Sequence, residues 1–129
     1  MIECLIAAVF FEARDQPVQG QFAVAEVVMN RVESDRWPNG ICEVVFQNKQ
    51  FSFTHDGKSD NPLKYLHNDI EKRAYLIAKS VARGVVIGEK IGISSTHYHR
   101  TDVSPYWAEH YRKDGQVGEH IFYTAVDGK

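Results

Sequence analysis

The sequence lacks the features that mark several large classes of protein. Its longest run of apolar residues, Leu5–Phe11, has seven residues, whereas a membrane-spanning helix needs about 20. Lys and Arg are not gathered into a run, and the formal net charge is −2, which is unlike a nucleic-acid binder. Glu3 precedes the apolar run, where a secretory signal would carry basic residues. These absences argue against membrane insertion, nucleic-acid partners and a signal peptide.

Cysteine is also scarce, since Cys4 and Cys42 are the two in the chain. Two cysteines are too few for a cysteine-built zinc site. They suffice for one disulfide, which would close a loop of 38 residues and stabilise the fold. Two buried free thiols in a cytosolic protein fit the composition equally well, so the residues alone leave both alternatives open.

What the sequence does contain is the composition of an ordinary globular domain. Its 129 residues are 43% hydrophobic and 25% charged, and this length supports one core. Hydrophobic periodicity predicts helices at residues 3–14, 18–33, 41–46 and 69–83, with Gly84 as the last C-cap. Alternation and turn residues predict strands at 50–53, 92–99 and 117–123. We therefore expect residues 1–129 to form one mainly helical α+β domain with a small antiparallel sheet.

The first predicted helix carries a carboxylate on its apolar face. That face is formed by three aliphatic residues, Leu5, Ala8 and Val9. The next position on it, at i+7 from Leu5, is Glu12. Burial raises the pKa of a carboxyl group, and an acid that keeps its proton near neutral pH can serve as a general acid. The alternative is a structural role, in which Glu12 pairs with Arg14 or Arg31 or turns away at the helix end.

Polar and aromatic residues are mixed in four further segments, a composition typical of binding loops and strands. The segments are Gln50-Phe51-Ser52, Thr96-His97-Tyr98-His99, Tyr106-Trp107 and Gly118-Glu119-His120. Aromatic rings can stack on the faces of pyranose sugars, while short polar groups meet hydroxyls and acetamides. The pattern is therefore compatible with a sugar ligand, and equally with an ordinary core.

A metal site is a second chemical interpretation of the same residues. His97 and His99 are two positions apart on a predicted strand, which puts both imidazoles on one face. His110, His120 or Glu12 could then complete a zinc site. The alternative is a histidine that donates a hydrogen bond inside a polar core. No HExxH, GxSxG or reactive cysteine motif is present, so those hydrolase classes are discounted.

Several short motifs follow one another along nearly the whole chain. They are Glu3-Cys4, Phe11-Glu12-Ala13-Arg14, Gly20-Gln21-x-Ala23-Val24-Ala25, Val28-x-Asn30-Arg31-Val32, Trp37-Pro38, Ile41-Cys42-x-Val44-Val45, Gln50-Phe51-Ser52, Thr96-His97-Tyr98-His99, Val103-x-Pro105-x-Trp107-Ala108 and Val117-Gly118-x-His120-Ile121-Phe122-Tyr123. In this order and combination they resemble the SleB-type cell wall hydrolase family.

The resemblance implies a lysozyme-like catalytic domain that cuts peptidoglycan glycan strands between N-acetylmuramic acid and N-acetylglucosamine. It implies that Glu12 is the essential acid and that no metal or cofactor is needed. Two-carboxylate glycosidases need a second Asp or Glu about 5–9.5 Å away, and the matched polar clusters offer Glu119 alone, which alternates away from His120. We therefore expect a lytic transglycosylase that forms a 1,6-anhydro product. Glu26, one turn before Asn30, would favour a hydrolytic muramidase if it faces the cleft.

The remaining site assignments come from the same resemblance. The candidate substrate contacts are Gln50, Phe51, Ser52, His97, Tyr98, His99, Trp107 and His120. Among them, Phe51 and Trp107 are the candidate stacking platforms, and His97 or His99 could orient Glu12. The resemblance also favours a disulfide between Cys4 and Cys42, because an enzyme that reaches peptidoglycan works outside the reducing cytosol.

The expected partner is the glycan strand of peptidoglycan, bound by a monomer at the cell wall or periplasm. Without a signal peptide, the chain would be a phage lysin released through a membrane lesion, or one from which the signal has been removed. Two alternatives stay open beside the transglycosylase and the muramidase. One is a zinc hydrolase that uses His97 and His99, and the other is a glycan-binding module without catalysis.

Overall fold

The computed structural model describes residues 1–47 and 51–126. The helices in this part are α1 (Ile2–Ala13), α2 (Val18–Val32), α3 (Ile41–Val45) and α4 (Asp69–Val86), with short 3₁₀ helices at Ser52–His55, Pro62–Tyr65 and Tyr106–Glu109. The strands are β1 (His97–Arg100), β2 (Arg112–Val117) and β3 (His120–Thr124). They form an antiparallel sheet in the order β1-β3-β2. The prediction of a mainly helical α+β domain with a small antiparallel sheet is confirmed.

Helix α1 is the centre of the helical layer. Its buried residues are Leu5, Ile6, Ala7, Ala8, Val9, Phe10 and Ala13. They lie on all sides of the helix because α2, α3 and α4 pack around it, as expected for a helix that is apolar all round. A disulfide joins Cys4 of α1 to Cys42 of α3, the pairing that the family resemblance implied. No helix in the described ranges is long and apolar enough to cross a membrane.

Helix α4 ends later than the sequence predicted. It runs through Gly84 to Val86, and Val85 packs into the core. The helix stops at Gly88, which has a φ of +106°. The N–H groups of Gly88 and Glu89 donate to the carbonyls of Val85 and Gly84, the two hydrogen bonds of a Schellman motif. The prediction of Gly84 as the C-cap was wrong, because burial of Val85 carries the helix on to the next glycine.

The segment predicted as a strand at 117–123 contains a hairpin turn. Gly118 and Glu119 connect β2 to β3, so that Val117 pairs with His120. Gly118 has a φ of +59°, a conformation that glycine adopts without steric cost. The prediction of one continuous strand was wrong because it extended the apolar alternation of β3 back across this glycine.

The segment predicted as a strand at 50–53 is also different. Residues Ser52–His55 form a 3₁₀ helix, and the rings of Phe51 and Phe53 are buried. Phe53 stacks on Phe11 with ring centroids 4.9 Å apart. The apolar alternation here arises from two rings that pack into the helical core, and the strand prediction was wrong.

The third predicted strand, 92–99, is shorter than expected because side chains of α2 bind the backbone that precedes it. Glu26 accepts hydrogen bonds from three consecutive N–H groups, those of Ile91, Gly92 and Ile93. Asn30 donates to the carbonyls of Ile93 and Ser95, and Arg31 donates to that of Thr96. The sheet ladder therefore begins only near His97, and this anchoring fixes β1 beside the end of α1.

Candidate active site

Glu12 lies in the last turn of α1, at the end of the apolar face that the sequence indicated. Leu5, Ala8 and Val9 on that face are fully buried, and Glu12 itself is partly buried. Burial raises the pKa of Glu12, against the lowering effects of a hydrogen bond from Tyr98 and of the Arg100 charge. Arg14, a candidate structural partner, instead pairs with Glu71, with Nε 3.1 Å from Oε1. Glu12 is thus a carboxyl group whose protonated form is favoured by its surroundings.

Strand β1 brings Tyr98 to Glu12. Side chains alternate along a strand, so Tyr98 and Arg100 point toward the helices while His97 and His99 project from the other face. The Tyr98 hydroxyl donates a hydrogen bond to Oε1 of Glu12. The ring of Tyr98 packs against both parts of the core, which fixes its position.

A cavity of about 350 Å³ opens beside this pair. Its lining comes from α1, α2, the segment after α3, the sheet and the loop after β1: Phe11, Glu12, Arg31, Phe51, Tyr98, His99, Arg100, Val103 and His120. Glu12 is the one carboxylate in this lining, as far as the described residues go. The cavity thus combines an acid, two arginines, imidazoles and aromatic walls.

Two predicted contacts, Phe51 and His120, line the cavity but are almost inaccessible. Phe51 is 2% exposed, so it forms a wall and presents no free ring face on which a sugar could stack. His120 is 1% exposed, and its Nδ1 has no hydrogen-bond partner among the described residues. Burial lowers the pKa of His120, so its imidazole is neutral near pH 7. Gln50 and the side chain of Ser52 lie outside the described residues.

His97 and Trp107 lie on the outer face of β1 and do not line the cavity. The rings of His97 and Trp107 are 5.3 Å apart, and Trp107 stacks on Tyr111 at 5.5 Å. His99 belongs to the same cluster, at 5.7 Å from Trp107, and also reaches the rim of the cavity. The structure therefore brings Glu12, Tyr98, His99, Phe51 and His120 together and leaves His97 and Trp107 apart.

The two histidines on the outer face, His97 and His99, belong to a cluster of polar and aromatic side chains. His99 has Nε2 2.9 Å from the Tyr123 hydroxyl and Nδ1 2.6 Å from the Arg100 carbonyl. Burial and the charges of Arg31 and Arg36 lower the pKa of His97 to about 4. Within residues 1–47 and 51–126, no group of three His, Cys, Asp or Glu side chains is placed to hold a metal ion. The arrangement offers no support for the zinc interpretation.

Glu26 does not lie in the lining of the cavity. It is 2% exposed and accepts the three backbone hydrogen bonds that anchor residues 91–93. Glu119, the other acidic candidate, is exposed in the hairpin turn and pairs with Arg100 at 3.1 Å. The contingent prediction that Glu26 faces the cleft is therefore not supported, and Glu119 does not line the cavity either.

Two arginines of the site were not identified as site residues from the sequence. Arg31 is 4% exposed, and its Nε lies 2.7 Å from the Thr96 carbonyl. Burial lowers the pKa of Arg31 to about 10, which leaves it charged at neutral pH. Arg100 shares a strand face with Tyr98, a relation that the i, i+2 period of the strand could have indicated. From the sequence, Arg31 was considered as a candidate structural partner of Glu12.

Comparisons with known proteins identify a family for most of the chain. Residues 15–123 match the family model described as cell wall hydrolase. The matched range begins three residues after Glu12. The assignment of Glu12 as the acid therefore depends on the site geometry and on the resemblance of the motif that contains it.

Named relatives and solved structures are similar to nearly the whole chain. A spore cortex-lytic enzyme of Halalkalibacterium halodurans is 29% identical over 94% of this chain and 34% of its own length. One of Bacillus cereus is 28% identical over 94% of this chain and 43% of its own length. The chain thus spans between a third and a half of these relatives.

One solved structure that is similar to the chain is the catalytic domain of the germination-specific lytic transglycosylase SleB from Bacillus anthracis. It is 30% identical, with a TM-score of 0.70 over 95% of this chain and 93% of that one. The lysozyme-like fold implied by the sequence motifs is thereby confirmed.

Proposed function

The chain belongs to the cell wall hydrolase family, and from that premise we propose that it cleaves the glycan strand of peptidoglycan with Glu12 as general acid and base. The observation that carries the proposal is a partly buried carboxyl group, with a raised pKa, in the wall of a cavity large enough for part of a sugar chain. The relatives named as cortex-lytic enzymes and the solved lytic transglycosylase domain support the choice of substrate.

Protonated Glu12 would donate its proton to the glycosidic oxygen as the bond between N-acetylmuramic acid and N-acetylglucosamine breaks. The sugar passes through an oxocarbenium-like state. The C6 hydroxyl of the muramic sugar then attacks C1, and the carboxylate of Glu12 takes the proton of that hydroxyl. Glu12 ends protonated as it began, and the muramic sugar ends as a 1,6-anhydro ring.

Transglycosylation is favoured over hydrolysis because Glu12 is the one carboxylate lining the cavity among the described residues. Both hydrolytic mechanisms need a second carboxylate, either to activate water or to form a covalent intermediate. Glu26 is bound to the backbone of residues 91–93, and Glu119 pairs with Arg100 from the exposed hairpin turn without lining the cavity. A muramidase that uses water is the alternative function, and its product would carry a reducing muramic end.

The other groups in the cavity would bind and orient the sugars. Arg100 at the rim offers guanidinium donors for hydroxyl and acetamide oxygens beside its ion pair with Glu119, whereas both ring nitrogens of His99 are already engaged with the Arg100 carbonyl and the Tyr123 hydroxyl. Trp107, beside His99 on the outer face, could stack on a sugar further along the strand. The Cys4–Cys42 disulfide supports action at the cell wall or periplasm, outside the reducing cytosol.

The test is the release of soluble fragments from purified peptidoglycan by wild type, Glu12→Gln and Glu43→Gln. We expect Glu12→Gln to lose at least about 100-fold in rate, while Glu43→Gln, an exposed carboxylate of α3, keeps the wild-type rate. A Glu12→Gln protein with wild-type activity would refute the assignment. Binding without release of fragments would identify a glycan-binding module instead.

Mass spectrometry of the fragments distinguishes the two reactions. Anhydro-muropeptides are expected from transglycosylation, whereas reducing muramic ends would establish the muramidase. Activity that disappears with excess EDTA and returns with zinc would instead revive the zinc hydrolase.

A further inference from the structure

The hydroxyl of Tyr98 is bound to the reacting carboxyl group. It donates to Oε1 of Glu12, and a phenol has a single proton to donate. Tyr98 was interpreted from the sequence as a contact for sugar acetamide or hydroxyl groups. Because its proton is already used in the bond to Glu12, that role as a donor to sugar is not open to it in this arrangement.

The position of this hydroxyl is fixed from three directions. Tyr98 pairs with Phe122 across the sheet, and their rings are 5.6 Å apart. The ring of buried His120 lies 4.9 Å from that of Tyr98. The backbone before β1 is tied to α2 through Asn30 and Arg31. Tyr98 therefore approaches α1 from a rigid support, with little freedom to follow a moving carboxyl group.

We propose that Tyr98 is a positioning residue for Glu12, whose hydroxyl holds Oε1 so that the proton used in the reaction sits on Oε2. The proposal rests on the proposed function of Glu12. A carboxylic acid that accepts a hydrogen bond at one oxygen carries its own proton on the other. Tyr98 thus selects which oxygen acts on the glycosidic bond and fixes the direction of proton transfer.

The same hydrogen bond serves the second half of the reaction. When Glu12 has given up its proton, the bond from Tyr98 becomes charge-assisted and stronger. This stabilises the carboxylate until Oε2 takes a proton from the C6 hydroxyl. Burial and the neighbouring Glu12 raise the pKa of Tyr98, so the phenol keeps its proton throughout and acts as a fixed donor.

The first test is the ionisation of Glu12 in wild type and Tyr98→Phe, followed through the ¹³C signals of the glutamate carboxyl groups. The variant loses a donor to the carboxylate, so Glu12 should titrate about one pH unit higher, as expected for one hydrogen bond to a charged group. Tyr123→Phe is the matched control, because it removes another buried hydroxyl of the same sheet, one that contacts His99. Glu12 should titrate as in wild type in that control.

The second test is kinetic and separates positioning from a general loss of structure. In Tyr98→Phe, kcat should fall by about tenfold or more because the proton is no longer aimed, while KM stays within about twofold. The alkaline limb of the pH–rate profile should move upward by the same amount as the titration of Glu12. Unchanged titration and an unchanged limb in a folded Tyr98→Phe protein would overturn the proposal.

A reciprocal measurement covers the case in which Tyr98→Phe does not fold. In Glu12→Gln the negative charge beside Tyr98 is absent, so Tyr98 should ionise at lower pH than in wild type, measured by tyrosinate absorbance. An unchanged ionisation of Tyr98 would refute the coupling. These titrations need no substrate, so they can fail or succeed independently of peptidoglycan cleavage, and a wild type without lytic activity would count against the proposed function alone.

Discussion

The carboxylate of Glu26 lies 2.7 Å from the backbone nitrogen of Ile91, a residue 65 positions further along the chain. The N–H groups of Gly92 and Ile93 donate to its other oxygen at 2.9 and 3.2 Å. A buried carboxylate is stable only when it is well hydrogen-bonded, and here backbone donors meet that need. Glu26 is therefore an anchor for the segment that leads into β1.

Glu26→Gln should lower stability while leaving the chemistry largely intact. The amide keeps one acceptor oxygen and turns an NH₂ group toward backbone donors, so we expect a loss of about 1–3 kcal/mol. Thermal unfolding measures the loss, and lytic activity at a temperature where the variant is folded should stay within a few-fold of wild type. A folded Glu26→Gln protein as inactive as Glu12→Gln would restore Glu26 as a second catalytic carboxylate.

Glu12→Gln should change stability in a pH-dependent way. Burial raises the pKa of Glu12 in the folded state, so in the window between the ordinary and the raised pKa the unfolded chain ionises first. Wild type therefore loses stability as pH rises through this window, and the amide variant does not. The advantage of Glu12→Gln over wild type should be smallest below the ordinary glutamate pKa of about 4.3 and should reach its full value only above the raised pKa of the folded state.

The control for the pH dependence of stability in Glu12→Gln is the variant Glu3→Gln. A hydrogen bond from the N-terminal ammonium lowers the pKa of Glu3. The stability of Glu3→Gln relative to wild type should therefore change with pH in the direction opposite to that of Glu12→Gln. Equal pH dependence in the Glu12 and Glu3 variants would show that Glu12 is not desolvated.

The position of Glu12 could be predicted because helical periodicity is a local property. Leu5, Ala8 and Val9 mark one apolar face of α1, and the helical repeat alone puts Glu12 next on that face. Tyr98 and Arg31 could not be assigned to the same site in this way, since 86 residues separate Tyr98 from Glu12. Their meeting depends on how α2 anchors the segment before β1, and that anchoring is made by long-range contacts that no periodicity encodes.

Two glycines near the end of α4 should respond oppositely to alanine. Gly84 is helical, and an added Cβ would meet the movable end of the Glu89 side chain at 2.5 Å, so Gly84→Ala should be neutral or stabilising by up to about 1 kcal/mol. Gly88 has a φ of +106°, so Gly88→Ala should cost about 1–2 kcal/mol. Thermal unfolding of both variants measures this, and a larger loss at Gly84 would contradict the Schellman motif at Gly88.

The disulfide should contribute to stability through the chain it closes. Cys4 and Cys42 are 38 positions apart, and closing such a loop is worth about 3–4 kcal/mol in the chain-entropy model. Reduction of wild type should therefore lower the unfolding temperature. The double variant Cys4→Ser, Cys42→Ser should unfold at that lower temperature whether or not a reductant is present. If a reductant also lowers the unfolding temperature of the double variant, its effect on wild type does not come from breaking this disulfide.

The incorrect predictions for the strands of the sheet have a common physical origin. Alternation correctly marked the apolar residues of β3, but β2 is mainly polar and exposed, so it gave no apolar signal of its own. Its pairing depends on the turn at Gly118 and on a bulge at Asp114, where the register with β3 shifts. Such features are set by the partner strand, and a single segment read alone does not reveal them.

Asp114→Asn should destabilise the sheet at neutral pH and cease to do so in acid. Ser95 and Thr124 each donate to the carboxylate at 2.6 Å, and Arg112 does so at 3.1 Å. Burial alone would raise the pKa of Asp114, but these hydrogen bonds together lower it. The ionised form therefore adds stability above the ordinary aspartate pKa of about 3.9, and this stability is lost as pH falls through the lowered pKa.

We expect Asp114→Asn to cost about 1–2 kcal/mol at neutral pH, with the difference from wild type closing progressively below pH of about 3.9. Urea unfolding across this range measures it. Asp56→Asn is the matched control, since Asp56 is exposed in a turn and accepts one local hydrogen bond from the Lys58 N–H. If the stability difference between Asp114→Asn and wild type stays constant from neutral to acid pH, the loss comes from a steric misfit of the amide. The charge of Asp114 would then not stabilise the bulge.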